Sequence, residues 1–262
     1  MKKTSFVGLI AITMFLVTGN VFAYELNGKS YNMDVFLKNA SKSVPVVSVQ
    51  TKETPLVILL EDILKQSGTK VKWWGFENEA PHITIQSKEA PVLHVLAEIA
   101  KTYKLDLYRN NESEDTIFLA KENAVLTYAV NGPALVTWHG KITSADFDFT
   151  QSPPAPVEVT KYRMRFLRDL GSTLQTYDPN GGTLHRNRPV RFILSSGGER
   201  TLQSDHAPNT FGGPWQDWQF EPVKEFEGKK ADLIVTLPIS ISDTNHKVSQ
   251  KEIEFVLKDC PV

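Results

Sequence analysis

An internal repeat with an offset of 36 residues constrains the fold of this chain most strongly. Residues 47–55 read Val-Ser-Val-Gln-Thr-Lys-Glu-Thr-Pro, and residues 83–91 read Ile-Thr-Ile-Gln-Ser-Lys-Glu-Ala-Pro. The similarity continues as far as residues 73 and 109. Periods of 20 to 50 residues are typical of repeated supersecondary units, and stacked solenoids generally need three or more copies. Two copies therefore predict a small duplicated domain.

Each copy has the pattern of a strand, a turn, a helix and a second strand. Apolar residues alternate with polar ones before the helix, as in a half-buried strand. Pro55 and Pro91 suit the first helical position, where the missing N–H costs nothing, and Thr54 suits an N-cap. Gly68 suits the C-terminus of the first helix. The two predicted apolar helix faces are Leu56, Leu59, Leu60, Ile63 and Leu64 in the first copy, and Val92, Val95, Leu96, Ile99 and Ala100 in the second.

Over residues 45–121 this pattern resembles the secretin and TonB short N-terminal (STN) domain. The resemblance rests on the two strand–helix–strand units and on the helix starts Thr54-Pro55-Leu56 and Ala90-Pro91-Val92. It implies a periplasmic module that contacts other proteins, such as partners of outer-membrane secretins or receptors, and that carries no catalytic residues. The pattern is also similar to the periplasmic domain of some pilus-biogenesis proteins. Only about 140 residues follow, so the resemblance implies neither a receptor barrel nor a secretin channel.

The first 23 residues have the organisation of a secretory signal peptide. Lys2 and Lys3 precede an almost wholly apolar run over residues 6–17, and Val21-Phe22-Ala23 forms a small-x-small ending. The apolar run is shorter than the roughly 20 residues that a membrane-spanning helix needs. An uncleaved membrane anchor is the alternative. Cleavage after Ala23 is expected to leave a periplasmic or secreted chain that begins at Tyr24 and has no transmembrane segment.

The chain is predicted to contain a signal peptide over residues 1–23, a lead-in segment over 24–44, the STN-like domain over 45–123 and a β-sandwich over 124–262. After residue 124, short strand-like segments are separated by turn residues. About eight such segments without a convincing helix favour a sandwich. The predicted fold class is therefore α+β, with a duplicated βαβ module followed by an all-β, Ig-like sandwich.

The sequence shows no catalytic or metal-binding constellation. Ser195-Ser196-Gly197-Gly198 differs from a Gly-x-Ser-x-Gly nucleophile elbow and favours a hairpin turn. The histidines lack the spacings of paired metal ligands, and His94 is expected to be solvated on a helix face. The single cysteine, Cys260, excludes an intramolecular disulfide and is expected in a frayed tail, as a free thiol or in an intermolecular disulfide. We predict no enzymatic activity, no cofactor and no metal site.

Two pairs of tryptophans are candidate binding residues. Trp73 and Trp74 are adjacent in a predicted strand, so their side chains point to opposite faces and only one of them lies in the core. The other is a candidate contact for a partner protein. Trp215 and Trp218 lie beside a Gly-Gly-Pro loop, from which they could stack on a sugar. Core packing is the alternative for both pairs.

Four arginines are the other candidate binding residues. Arg163 and Arg165 share one side of a predicted strand, and Arg186 and Arg188 have the same i, i+2 spacing. They form either a solvated sheet face balanced by nearby acids, or a site for an anionic ligand such as a lipid headgroup, a polysaccharide or an acidic protein.

Charge excludes one class of function and leaves three. With 29 Lys and Arg against 30 Asp and Glu, the net charge of −1 argues against nucleic-acid binding. The prediction is an exported, non-catalytic interaction or scaffold protein of an envelope machine for secretion, pilus assembly or signalling. Its partner is an envelope protein, such as an outer-membrane secretion or pilus component, bound at a sheet edge or a tryptophan patch. A carbohydrate- or peptidoglycan-binding protein is the alternative, and an enzyme of unrecognised type is the second.

Overall fold

The described strands form four sheets rather than the predicted two-part α+β fold. A computed structural model of the chain describes residues 23–32, 44–76, 80–109, 116–132, 134–148, 150, 152–168, 174–176, 189–204, 215–242 and 248–262. The described chain is mostly β, and its four sheets together resemble a four-bladed β-propeller. The prediction of a duplicated βαβ module followed by an Ig-like sandwich is therefore wrong. The signal-peptide prediction falls on residues outside these ranges, apart from Ala23, as does most of the lead-in segment.

The described elements comprise two α-helices, sixteen strands and one short 3₁₀ helix at Lys224–Phe226. The first part of the chain contains β1 (Ala23–Leu26), β2 (Lys29–Asn32), β3 (Val46–Pro55), α1 (Leu56–Ser67), β4 (Lys70–Trp74), β5 (His82–Pro91), α2 (Val92–Tyr103), β6 (Asp106–Tyr108) and β7 (Thr116–Ala120). The second part contains β8 (Thr127–Asn131), β9 (Ala134–Asp148), β10 (Ala155–Arg168), β11 (Leu174–Thr176), β12 (Pro189–Leu194), β13 (Glu199–Gln203), β14 (Trp215–Phe220), β15 (Lys230–Ser242) and β16 (Val248–Pro261).

The sheets enclose two hydrophobic cores. The strand orders are β2-β1-β5-β3, β4-β7-β6, β14-β10-β9-β8 and β11-β15-β12-β13, with β16 also paired to β15. The first core is built mainly by the first two sheets and both helices, and the second core lies between the third and fourth sheets. Within the described ranges, no helix is long and apolar enough to span a membrane.

Each copy of the repeat folds as strand, helix and strand, but its two strands belong to different sheets. β3 and β5 pair with each other in the first sheet, whereas β4 and β6 both pair with β7 in the second. A βαβ unit requires its two strands to run parallel in one sheet. Periodicity shows where a strand lies but not which strand it pairs with, and this is why the βαβ prediction failed.

The two copies are related by a local pseudo-twofold axis. β3 and β5 pair antiparallel, and Gln50 lies directly opposite Gln86, its equivalent in the other copy. An antiparallel pairing of equivalent residues is the arrangement of an isologous dimer interface, here inside one chain. The paired residues of β3 and β5 therefore have counterparts 36 residues away, which allows the two copies to be compared residue by residue.

The helix starts obey this symmetry but lie one residue later than predicted. Pro55 and Pro91 are the N-caps, with nearly identical φ of −53° and −54°, and the helices begin at the next residue. Thr54 lies in β3 and is not the cap. The first helical N–H of each copy donates to the carbonyl that precedes the other copy's strand, at 2.9 and 3.0 Å. Gly68 ends α1 in the left-handed conformation, as predicted.

The repeated Lys-Glu pair specifies a β-bulge in each strand. Glu53 and Glu89 have φ of 52° and 51°, and the strand register shifts beside them. The Glu53 N–H donates to the Thr84 hydroxyl at 3.0 Å, and the Glu89 N–H donates to the equivalent Ser48 hydroxyl at 2.9 Å. The repeated motif therefore adopts the same bulged backbone geometry in both copies, shortly before each helix.

A β-branched residue at either bulge is expected to destabilise the fold. Glu53→Val and Glu89→Val each place a residue that avoids positive φ in the left-handed region, at a cost on the order of 1–2 kcal/mol. Urea unfolding measures the loss, and Lys52→Val, beside the bulge, is the matched control. A loss in the control equal to that in both bulge variants would contradict this explanation.

In the second part of the chain, some strands are longer than the short strand-like segments predicted from the sequence. β9 is one of them, because a bulge at Gly140, where φ is 70°, lets the strand bend without ending. The predicted hairpin turn at residues 195–198 is confirmed between β12 and β13. The frayed tail is wrong, since Cys260 is buried opposite Ala231 in β16. Burial raises the pKa of the Cys260 thiol to about 12, so the thiol stays protonated.

Candidate functional site

The second copy of the repeat is covered by other parts of the chain. The β1–β2 hairpin adds to the outer edge of β5, with Glu25 opposite Lys88 and Leu26 opposite Ser87. On α2, the His94 ring is buried and its Nδ1 forms a hydrogen bond with the Tyr24 hydroxyl at 2.5 Å. The expectation of a solvated His94 is therefore wrong. The remaining apolar face of α2 packs into the first core with residues from β9 and β10.

The first copy leaves the equivalent helix face open. On α1, the exposed fractions of Val57, Ile58 and Leu64 are 37%, 54% and 45%. Their counterparts on α2, which are Leu93, His94 and Ala100, are all buried. Leu64 was predicted to belong to the buried face, and its exposure shows that α1 has an apolar surface without a described covering element.

The outer edge of β3 is open as well. The Asn27 N–H donates to the Gln86 carbonyl at 2.8 Å, and the Gln86 N–H donates to the Asn27 side-chain oxygen at 3.1 Å. Because Gln86 bonds outward in this way, Gln50 opposite it belongs to a non-hydrogen-bonded pair, and its backbone groups point away from β5. Among the described residues, no strand pairs with that edge.

Side chains define where the open edge begins. The Ser48 N–H donates to the Gln66 side chain at 3.1 Å, and the Gln66 amide donates back to the Ser48 carbonyl at 3.2 Å. The edge is therefore closed at Ser48 and open from Gln50 onward. A cavity of about 740 Å³ lies beside it, lined by Asn27, Gln50, Thr51, Lys52, Glu53, Thr84, Ile85 and Gln86. We call this edge, together with Val57, Ile58 and Leu64, the open face.

Trp73 and Trp74 point to opposite faces of β4. Trp73 is half-buried and packs against the first core. Trp74 is 47% exposed, and its ring lies 5.4 Å from the rings of Tyr108 and Phe118. Trp74 is thus the outward member of the pair, on a sheet separate from the open face.

Trp215 and Trp218 do not form an exposed pair. Trp218 is fully buried in the second core and stacks on Phe166, with ring centroids 6.3 Å apart. Trp215 begins β14, but its side chain lies outside the described residues. The position of Trp218 corresponds to the core-packing alternative.

Arg163 and Arg165 lie in a buried ionic cluster. Both approach Asp217 on β14, with N–O distances of 3.4 Å. Arg165 also bonds the Asp106 carboxylate on β6 and donates to the Leu107 carbonyl at 3.3 Å. These contacts join the second sheet to the third, so the two arginines are neither solvated nor aimed at an external ligand. Arg186 and Arg188 lie outside the described residues.

His139 completes the cluster. Its Nδ1 donates to the Asn123 carbonyl at 2.6 Å and lies 3.7 Å from the Asp106 carboxylate. Burial first, and then the charge of Arg165, hold the pKa of His139 well below its usual value. Burial raises the pKa of Asp106, against the pull of Arg165. Although burial disfavours its charged form, Asp217 and Asp106 together raise the pKa of Arg165.

The absence of a metal site was predicted from the sequence, and it stays a prediction. In the described part of the chain, no three His, Cys, Asp or Glu side chains gather in a metal-binding arrangement. His185 and His206 lie outside the described residues. The open face was missed in the sequence, although a signal existed: the alignment of the copies places Ile58 against His94 and Leu64 against Ala100.

Comparison of the chain with protein-family models, curated proteins and solved structures found no match. The resemblance of residues 45–121 to the STN domain therefore stays a prediction, as do the domain boundaries.

Proposed function

We propose that this protein is a non-catalytic interaction protein of the cell envelope, which binds an extended segment of a partner protein at its open face. One observation carries the proposal: the described part of the chain covers the edge and helix face of the second copy, and leaves the same surfaces of the first copy open. The predicted signal peptide and the STN resemblance support an envelope partner, such as a component of a secretion, pilus or signalling machine.

Strand addition fits the physical character of this face. An open strand edge presents N–H and C=O groups that a second chain can satisfy, and soluble proteins rarely leave such an edge uncovered without a use. The exposed apolar side chains of α1 lie in the same copy as that edge. Backbone hydrogen bonds at β3 would supply affinity, and burial of Ile58 and its neighbours would supply specificity. The carbohydrate alternative lacks a comparable observation, since Trp218 is buried.

Site-specific photocrosslinking in the host cell tests the proposal. A benzophenone amino acid at position 58 and, separately, at position 64 is expected to give the same protein adduct. The same probe at the exposed Glu225 is the control and is expected to give none. Gln50→Pro removes an N–H that makes no bond to β5, so it should leave the fold intact and abolish the adduct. The proposal fails if positions 58 and 64 give no adduct, or if position 225 gives the same one.

A further inference from the structure

The chain contains its own example of a segment bound at such a face. Residues Tyr24 to Asn27 lie along β5 as an alternating strand in which Tyr24 and Leu26 are buried and Glu25 is exposed opposite Lys88. Asn27 ends the strand, where it bonds the Gln86 backbone and donates to the Glu98 carboxylate at 3.2 Å. The glutamate and asparagine therefore face defined groups of the second copy, and the Tyr24 ring contacts both His94 and Tyr31 of its own hairpin.

The pseudo-twofold axis transfers these environments to the open face. Lys52 replaces Lys88, Thr51 replaces Ser87, Gln50 replaces Gln86 and Asp62 replaces Glu98, so a cation, a hydroxyl, a glutamine and a carboxylate are each kept. One environment changes. Ile58 stands where His94 forms a hydrogen bond with the Tyr24 hydroxyl, so the aromatic position on the open face lacks that polar partner. A phenylalanine suits this position better than a tyrosine, whose buried hydroxyl would be left without a hydrogen-bond partner.

We infer that the partner's segment reads phenylalanine, acidic residue, leucine, asparagine, and that it adds antiparallel to β3 with its acidic residue opposite Lys52. The inference rests on the proposed function, because it specifies the chemistry of the segment that the open face binds. The phenylalanine covers Ile58, the leucine lies opposite Thr51, and the asparagine bonds the Gln50 backbone and Asp62. A second copy of this chain is a poorer occupant, since its own tyrosine-containing strand is already paired with β5.

A synthetic peptide tests this assignment on the full mature protein. The peptide has the sequence of residues 23–32 with phenylalanine in place of Tyr24, and fluorescence anisotropy of a labelled copy measures its binding. We expect saturable binding that weakens at least tenfold with the original tyrosine, with Lys52→Glu or with Gln50→Pro. The exposed Lys65 on α1 provides the matched control, and Lys65→Glu is expected to bind normally. A peptide with lysine at the acidic position should regain binding to the Lys52→Glu protein.

N-methylation of the peptide backbone tests the register. The N–H groups that face one neighbour alternate along a strand, and the Asn27 N–H faces β5. The N–H of Glu25 therefore faces β5 too, whereas that of Leu26 faces away. Methylation at the acidic or asparagine position should abolish binding, and methylation at the leucine position should preserve it. An equal response to all three methylations overturns the assigned register.

The outcomes separate this inference from the function on which it rests. If the peptide fails to bind while the adducts at positions 58 and 64 persist, the assigned motif is wrong and the interaction function stands. If both are lost, the proposed function is wrong as well. A concentration-dependent dimer that crosslinks through position 58 would overturn the assignment in favour of a second copy.

Discussion

Replacement of Arg165 by leucine is expected to lower the free energy of unfolding by about 3–5 kcal/mol, since removing one member of a buried ionic cluster leaves its partners as uncompensated buried charges. Arg165 is buried between Asp106 on one sheet and Asp217 on another, and both carboxylates are buried with it. The leucine would fill part of the volume but would leave the Asp106 carboxylate without its arginine, and Asp217 with Arg163 alone. Urea unfolding followed by tryptophan fluorescence measures the loss.

An exposed arginine on the same protein provides the control for this prediction. Arg191 forms a two-pronged ion pair with Glu199, at 2.7 and 3.1 Å, but both side chains are about half exposed. Arg191→Leu should therefore cost much less than Arg165→Leu, because exposed ion pairs are screened by solvent. If the two variants lose similar amounts, the cluster does not hold the sheets together as the structure indicates.

Acidification below pH 6.5 is expected to weaken the folded state because two histidines are buried in their neutral form. Burial lowers the pKa of His94 to about 3 and that of His139 well below 6.5. Between those values and 6.5 the unfolded chain binds a proton at each histidine and the folded chain does not. The contribution of these two histidines to the free energy of unfolding is therefore complete above pH 6.5. It is lost as the pH falls, at about 1.4 kcal/mol per pH unit for each histidine.

Unfolding free energies at pH 7, 6 and 5 test this prediction before most carboxylates titrate. His94→Gln and His139→Gln should each reduce the slope of stability against pH relative to the unmodified protein. His82→Gln, the same replacement at an exposed position, is the control for the substitution itself. Asp106 acts in the opposite sense, because its raised pKa favours the folded state at low pH. The idea is wrong if neither buried-histidine variant changes the slope.

Local structure was largely predictable from the sequence. The helical periodicity located α1 and α2 to within a residue, Gly68 marked the end of the first helix, and the Ser-Gly turn after Leu194 marked a hairpin. All of these depend on residues close together in the chain, where the preferences of proline, glycine and apolar spacing act directly. The repeat was visible in the sequence, but the β-bulges within it could not be predicted, because the positive φ of Glu53 and Glu89 has no sequence signature.

The candidate site was less predictable because it depends on distant pairings. Arg163 and Arg165 had the spacing of a strand face, but their partners Asp106 and Asp217 are far away in the chain. Trp218 lies close to a Gly-Gly-Pro sequence that is typical of a loop, yet its side chain is buried in the second core. The open face exists because the β1–β2 hairpin covers the second copy of the repeat and not the first. The sequences of the two copies are similar, so only the folded structure shows which copy is covered.

The sequence by itself determined two helix-bearing repeat units and the starts of their helices to within a residue, because these follow from short-range backbone and side-chain preferences. Only the tertiary structure decided which strands pair, that the described strands form four sheets, and that β5 rather than β3 receives the β1–β2 hairpin. The physical reason is that β3 and β5 offer nearly the same edge, and the choice between them depends on contacts with the rest of the chain. His94 meets Tyr24 on one copy, and Ile58 is left exposed on the other.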